Sequence, residues 1–208
     1  MSIHAAYVVD STTGQEVPVE LHDELSPGVL LDIETQWSSV RTELRRKLDA
    51  ANVPRAQQPQ SLHWDWGEKS LLLSLFKKPD SFRVFALRRQ AAWEGAMVTL
   101  RGEVLTRLAP DCGKPLIYVD YVEAAPWNWT VKEAQQVRKY KAVGAVLLRA
   151  AVAQSQAESF DGRIGLHALP QADHFYQGQG LQLVDFDAPK RMNYFELTAE
   201  AVQHFERG

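Results

Sequence analysis

At Pro79-Asp80-Ser81 the chain changes character, and that break constrains the fold more than any other feature. Before it, Leu30, Ile33, Trp37, Val40, Leu44 and Leu48 recur at steps of three and four, the stripe of an amphipathic helix. Pro54 lies beyond that helix, the polar segment from Pro54 to Ser61 reads as a connector, and Leu71, Leu72, Leu73 and Leu75 mark a second helix over Glu68 to Phe76. After the break, Phe82 to Leu87, Ala96 to Leu108 and Leu116 to Ala124 are rich in β-branched, aromatic and aliphatic residues. The turn-forming pairs and runs Glu94-Gly95 and Pro110-Asp111-Cys112-Gly113 separate them, so an antiparallel meander is predicted.

On either side of this switch lie shorter elements. Ala5 to Val9 and Glu16 to Leu21 read as extended pieces around the turn cluster Ser11-Thr12-Thr13-Gly14. Downstream, the pattern predicts a helix from Val143 to Gln156, a strand from Arg163 to Leu169, a short helix from Gln171 to Gln177, and strands at Leu181 to Phe186 and Asn193 to Leu197. In the long loop from Ala125 to Arg138, Thr130 and Glu133 have capping-box spacing, which predicts a short extra helix.

Composition limits the function classes. With 208 residues, 45% of them hydrophobic, one domain over 1–208 can bury a core of its own. A net charge of -3 and basic runs as short as Arg45-Arg46-Lys47 argue against a nucleic-acid partner, which needs clustered cations. The single Cys112 excludes an internal disulfide framework and a multi-cysteine zinc site, and His63, His167 and His174 have no metal-ligand spacing with carboxylates, so no metal is expected. No apolar run has membrane-spanning length, and the first ten residues lack a cationic leader with an apolar core. No membrane partner and a cytoplasmic location are therefore expected.

Two short motifs carry chemistry. Lys139-Tyr140-Lys141-Ala142-Val143-Gly144-Ala145 is a small-residue turn opening an apolar helix, and such a turn can offer free backbone N–H groups to a phosphate. One strand later, Phe175-Tyr176-Gln177-Gly178-Gln179-Gly180 can set a phenol beside whatever carries that phosphate. Together they point to an acyl-CoA site. A helix running straight through Lys139 into Leu148 would instead bond those amides and leave no cradle.

In its element order and in these motifs the chain resembles the GCN5-related N-acetyltransferase (GNAT) superfamily. The resemblance implies an α+β fold, a mixed αβα sandwich on a mostly antiparallel central sheet with a splay between the fourth and fifth core strands. It assigns residues 81–198 to the core with the CoA site. Residues 1–80, a strand plus two helices, exceed what such a fold needs before its second strand and are expected to form a lid on the acceptor side. The family loop, Arg or Gln, two residues, Gly, one residue, Gly or Ala, falls on Lys139, Ala142 and Gly144. Lysine keeps the cation and alanine keeps a small side chain, although alanine is expected to avoid the positive φ that glycine takes. The second motif is matched by Ala172, Tyr176 and Gly180, while Leu169 stands where the family often has asparagine. Acetyl-CoA is the implied co-substrate. Lys139, Lys141, Ala142, Val143, Gly144 and Ala145 would take its pyrophosphate, and Val122 and Ala124 its pantetheine arm.

The reaction this implies is transfer of an acetyl group to a primary amine of a small molecule or peptide. Tyr176 is the candidate acid, since a phenol of pKa ~10 is protonated at neutral pH and can donate to a leaving thiolate; otherwise it is a core tyrosine. Along the fourth core strand Tyr118, Asp120, Val122 and Ala124 share one face, and Val119, Tyr121 and Glu123 the other. An aspartate inside such an apolar strand is costly unless paired or functional, so Asp120 is either half of a buried ion pair or the base. The resemblance places the base there, with Glu123 second. Trp64, Trp66 and Trp127 lie in segments that could border the acceptor. The alternative is a catalytically silent GNAT-like domain that binds an acyl-CoA or a protein partner. A homodimer fits either expectation.

Overall fold

The computed structural model describes residues 2–205, with the backbone alone described at 103, 203 and 204. The chain forms two compact units whose segments interleave: one takes residues up to Pro79 with Arg83–Met97 and Val122–Leu147, the other Asp80–Phe82, Val98–Tyr121 and the residues from Leu148 on.

The first unit opens with β1 (Ile3–Asp10) and β2 (Glu16–His22), an antiparallel hairpin in register from Ile3↔His22 to Val9↔Glu16. Asp10 Oδ1 closes its turn by accepting the amides of Thr12 and Thr13, each at 2.9 Å. Helix α1 (Val29–Ala50) follows, then α2 (Trp66–Phe76), whose first turn is capped by the Asp65 carboxylate accepting from Glu68 N at 3.0 Å. Strand β3 (Phe82–Arg89) pairs antiparallel with β2. Strands β4 (Ala92–Leu105) and β5 (Pro115–Ala124) belong to this unit only up to Met97 and from Val122. A two-residue β6 (Tyr140–Lys141), missed by periodicity because two residues have none, pairs with β1 and leads into α3 (Val143–Ala157).

One turn expectation fails here for a steric reason. Glu94-Gly95 is not a turn; the chain reverses at Gln90-Ala91, where Gln90 takes φ 57°, and Gly95 lies inside β4. A Cβ on Gly95 would stand 2.6 Å from Val143 Cγ1 and 3.1 Å from Leu147 Cδ1, so the missing side chain lets the start of α3 close on the strand. In α1 the buried positions are Leu30, Ile33, Trp37, Arg41, Leu44 and Leu48. Arg41 is buried within the stripe, and Val40 beside it is partly buried against Leu44 and Leu48.

The second unit contains β7 (Ile164–Ala168), α4 (Asp173–Gly178), β8 (Gln182–Asp187), β9 (Met192–Leu197) and α5 (Ala199–Phe205), with the remaining parts of β4, β5 and α3. Here β5 neighbours β7, β7 neighbours β9, and β9 neighbours β8. The β7–β9 and β8–β9 pairs are antiparallel, whereas β5–β7 is parallel from Ile117↔Ile164 to Val119↔Leu166. That ladder ends at Val119, so β5 leaves its neighbour at Asp120, the splay the sheet was expected to show. Among the described residues no helix is long and apolar enough to cross a membrane.

Candidate functional site

The loop before α3 is built by backbone rather than by side chains. Thr130 and Glu133 do not form a capping box: residues Lys132–Ala134 make a 3-10 turn with no side-chain cap, and Thr130 Oγ1 accepts from Arg138 Nε at 2.9 Å instead. The helix therefore does not run through Lys139. The Lys139 amide donates to Trp127 O (3.0 Å), Tyr140 N donates to Asn128 Oδ1 (3.0 Å), and Lys139 O accepts from Ser11 N (2.9 Å), which fixes the strand. Ala142 then takes φ 68°, the left-handed region. Alanine was expected to avoid this conformation, which costs about 1–2 kcal/mol without glycine. The Val146 amide bonds Ala142 O at 2.9 Å, so the amides of Val143, Gly144 and Ala145 precede the helical ladder. Lys139 and Lys141 are exposed beside them.

Asn128 is in turn held by a buried acid. Glu94 Oε2 accepts from Asn128 Nδ2 (2.9 Å) and from the indole of Trp127 (2.7 Å), and Glu94 O accepts from Ala125 N (2.9 Å). A chain of bonds thus runs from β4 through Asn128 to β6, one residue pair before the left-handed turn. Glu94, expected in a turn beside the cleft tryptophans, instead lies within β4, and Asn128 carries no sequence signal beyond its place in a loop rich in indole N–H donors.

Glu123 is the centre of this unit. Its side chain is 2% exposed, at the end of β5, and its Oε2 takes the indole Nε1–H of Trp66 at 2.5 Å, with Arg41 Nη1 at 3.5 Å. Trp66 and Arg41 both reach a second carboxylate as well: Trp66 N donates to Glu34 Oε2 at 2.9 Å, and Arg41 Nη2 pairs closely with the same oxygen. The buried Oε1 of Glu123 has no hydrogen-bond partner. Burial pushes the Glu123 carboxyl up to about 7, while Arg41, Trp66, Ser61 and Lys69 act to favour the ionised form.

The tryptophans assemble around this acid. Trp37 packs edge-to-face on Trp66 (6.2 Å) and Trp127 (6.4 Å), and Trp64 on Trp66 (6.3 Å), with Lys69 Nζ 4.6 Å from the Trp64 ring. Trp66 has no exposed surface, so it is a support for Glu123 rather than the open wall expected of it. Trp64 and Trp127 are half-buried. Val122 and Ala124, beside Glu123 on the strand, are also half-buried.

In the second unit Tyr176 is 7% exposed, its ring 5.1 Å from Phe175 and 6.1 Å from Phe195. Burial first, then the Asp173 charge, holds its phenol well above the usual range, hence protonated. Gly180 takes φ 83° just past α4, and Ala172 ends the 3-10 turn before it. Asp120 is half-buried, and after burial it is the next cause raising the neighbouring Tyr118 phenol. Tyr118 Oη lies 2.7 Å from His167 Nδ1, a contact that pattern reading did not anticipate. Among the described residues no group of three or more His, Cys, Asp or Glu could hold a metal ion.

No protein-family model and no curated protein sequence matches the chain. Solved structures do match its shape. A structure assigned to the GNAT family of acetyltransferases, from Desulfovibrio desulfuricans, has a TM-score of 0.53 at 11% identity, covering 87% of this chain and 99% of that one. PaiA N-acetyltransferase from Thermoplasma acidophilum, in complex with coenzyme A, has a TM-score of 0.48 at 13% identity, covering 86% and 97%. An acetyltransferase from Thermus thermophilus has a TM-score of 0.45 at 16% identity, covering 85% and 96%.

Proposed function

Because the chain folds as the GNAT acetyltransferases do, we propose that it is an acetyl-CoA-dependent N-acetyltransferase acting on a primary amine of a small molecule or peptide. The observation that carries this reading is Ala142 at φ 68°: an alanine held in glycine's conformation directly before three amides that precede a helical ladder. Val143, Gly144 and Ala145 would take the pyrophosphate through those amides, with Lys139 and Lys141 supplying charge. Val122 and Ala124 would take the pantetheine arm.

Glu123 is the base in this reading. Its Oε2 is fixed by Trp66 and Arg41, which leaves Oε1 to accept the proton of the incoming ammonium. The amine nitrogen then bonds the thioester carbonyl carbon, the carbon–sulfur bond breaks, Tyr176 donates its proton to the departing thiolate, and the second proton of the acylated nitrogen is lost to solvent. Solvent restores the Tyr176 proton and removes the one on Glu123. Asp120, half-buried on the opposite face of the strand, is the second candidate base. Trp64 and Trp127 would flank the amine's apolar body.

One observation favours a second reading, a silent GNAT-like domain that binds an acyl-CoA or a protein partner: the Glu123 side chain is 2% exposed, so an amine reaches it only if a side chain packed around it moves. Titration calorimetry with acetyl-CoA, followed by an acetylation assay over a panel of aryl and alkyl amines, separates the readings. Binding with transfer supports the enzyme; binding without transfer to any amine supports the silent domain. Absence of acetyl-CoA binding overturns the enzyme and leaves only the protein-binding form of the silent domain.

A further inference from the structure

The four groups at Glu123 form a closed circuit. Arg41 and Trp66 each span the same two oxygens, Glu34 Oε2 and Glu123 Oε2. The sharing is unequal: Arg41 Nη2 is in close contact with Glu34, whereas its Nη1 stands 3.5 Å from Glu123 with no hydrogen-bond partner. Arg41 is 2% exposed, so its charge is felt locally rather than spread into water, and the carboxylate that holds it more tightly withholds it from the other.

We propose that Glu34 and Arg41 are positioning residues for Glu123, dividing one buried guanidinium between two carboxylates and so deciding whether Glu123 Oε1 holds a proton. This rests on the reading of Glu123 as the base, and it adds two residues of α1 that touch neither substrate. The other groups facing Glu123 are Trp66 and Lys69 from α2 and Ser61 from the turn before it, and all three favour its ionised form. Arg41 and Glu34 are opposed levers. Removing the guanidinium leaves Glu123 with less to stabilise its charge, whereas removing the Glu34 charge releases the guanidinium to Glu123.

The full chain labelled with [5-13C]glutamate, with Glu123→Gln to assign the resonance, reports the carboxyl directly. In wild type it should titrate near pH 7. Glu34→Gln should lower that midpoint and Arg41→Met should raise it, each by at least about one pH unit. In the double variant the Glu34→Gln shift should shrink, because no guanidinium remains to be released. Shifts of the same sign, or a Glu34→Gln midpoint that stays or rises, overturn the proposal. If Arg41→Met does not fold, Glu34→Gln alone decides, since that side chain is partly exposed and keeps its volume. The base reading is tested separately by the pH profile of acetyl transfer. If the carboxyl midpoint moves as expected and the rate profile stays where it was, the levers stand and Glu123 is not the base.

Discussion

Two titratable side chains, Glu123 in the first unit and His167 in the second, are shifted by burial and partnered in opposite ways. Glu123 in the first unit is short of partners: Oε2 is shared and Oε1 has none. His167 in the second has a surplus at one nitrogen, since Tyr118 Oη lies 2.7 Å and Lys190 Nζ 3.2 Å from Nδ1, which has one lone pair to give. Its Nε2 stands 3.2 Å from Asp187 Oδ2 without hydrogen-bond alignment. Burial is the first cause of the shift at both, raising the acid and lowering the imidazole, so each favours its neutral form. The difference lies in what is left over. Glu123 keeps an oxygen for a proton from outside, and the crowded Nδ1 of His167 suits it to tying Tyr118 and Lys190 together.

The sharpest way to break this contrast is to neutralise both centres. Glu123→Gln should slow acetyl transfer by about 100- to 10,000-fold while leaving acetyl-CoA affinity unchanged, as loss of a general base does. His167→Gln should leave turnover at the wild-type level. Equal losses in steady-state assays would erase the distinction between the centres. Next in size is Tyr176→Phe, expected to reduce turnover by about 10- to 1000-fold with CoA binding retained. Unchanged single-turnover rates would return Tyr176 to the core of its unit.

The pH dependence of stability separates the centres with opposite signs. Glu123 has its folded value raised from 4.5 to about 7, so the folded chain holds the extra proton in that window. Its stabilising contribution is complete below 4.5 and is lost as pH rises through about 7. His167 has its folded value lowered from 6.5, so its contribution is present above 6.5 and is lost as pH falls through the lowered value. Urea unfolding across this range should show Glu123→Gln gaining relative to wild type as pH rises, and His167→Gln gaining as pH falls. Both variants tracking wild type at every pH would show that neither group titrates differently on folding.

The smallest effects concern the backbone of the two motifs. The first unit places alanine at φ 68° and the second places glycine at φ 83°. Ala142→Gly should stabilise by up to about 1 kcal/mol by relieving strain, while Gly180→Ala should destabilise by about 1–2 kcal/mol. A Cβ on Gly180 meets nothing within 4 Å, so conformation alone sets its cost. Thermal melts of the two variants measure this directly, and a loss of stability in Ala142→Gly would remove the strain from the loop.

The fold was legible because its main elements declare their periods. The stripe from Leu30 to Leu48 falls within α1, and the apolar runs from Phe82 to Ala124 fall largely within β3 to β5. The candidate site was legible only in part. Arg41 sat at a stripe position, four residues after Trp37 and three before Leu44, and an arginine there signals a buried partner. Val40, apolar and one position away, hides it in a purely hydrophobic pattern. Gly95 is ambiguous in sequence because a glycine that ends a strand and one that admits a helix look alike until the helix is placed.

By itself the sequence determined where helix gives way to sheet, which residues alternate across β5, and that small residues open α3, since all three depend on neighbours within a few residues along the chain. The tertiary structure decided that Glu123 meets Arg41, Glu34 and Trp66, and that Ala142 adopts glycine's conformation. Those outcomes depend on groups as distant along the chain as Trp66 and Glu123, 57 positions apart, and on a turn fixed at both ends by Asn128 and α3. Local pattern carries no record of which distant charge will share a carboxylate, because the energy that decides it arises only when burial removes water from both.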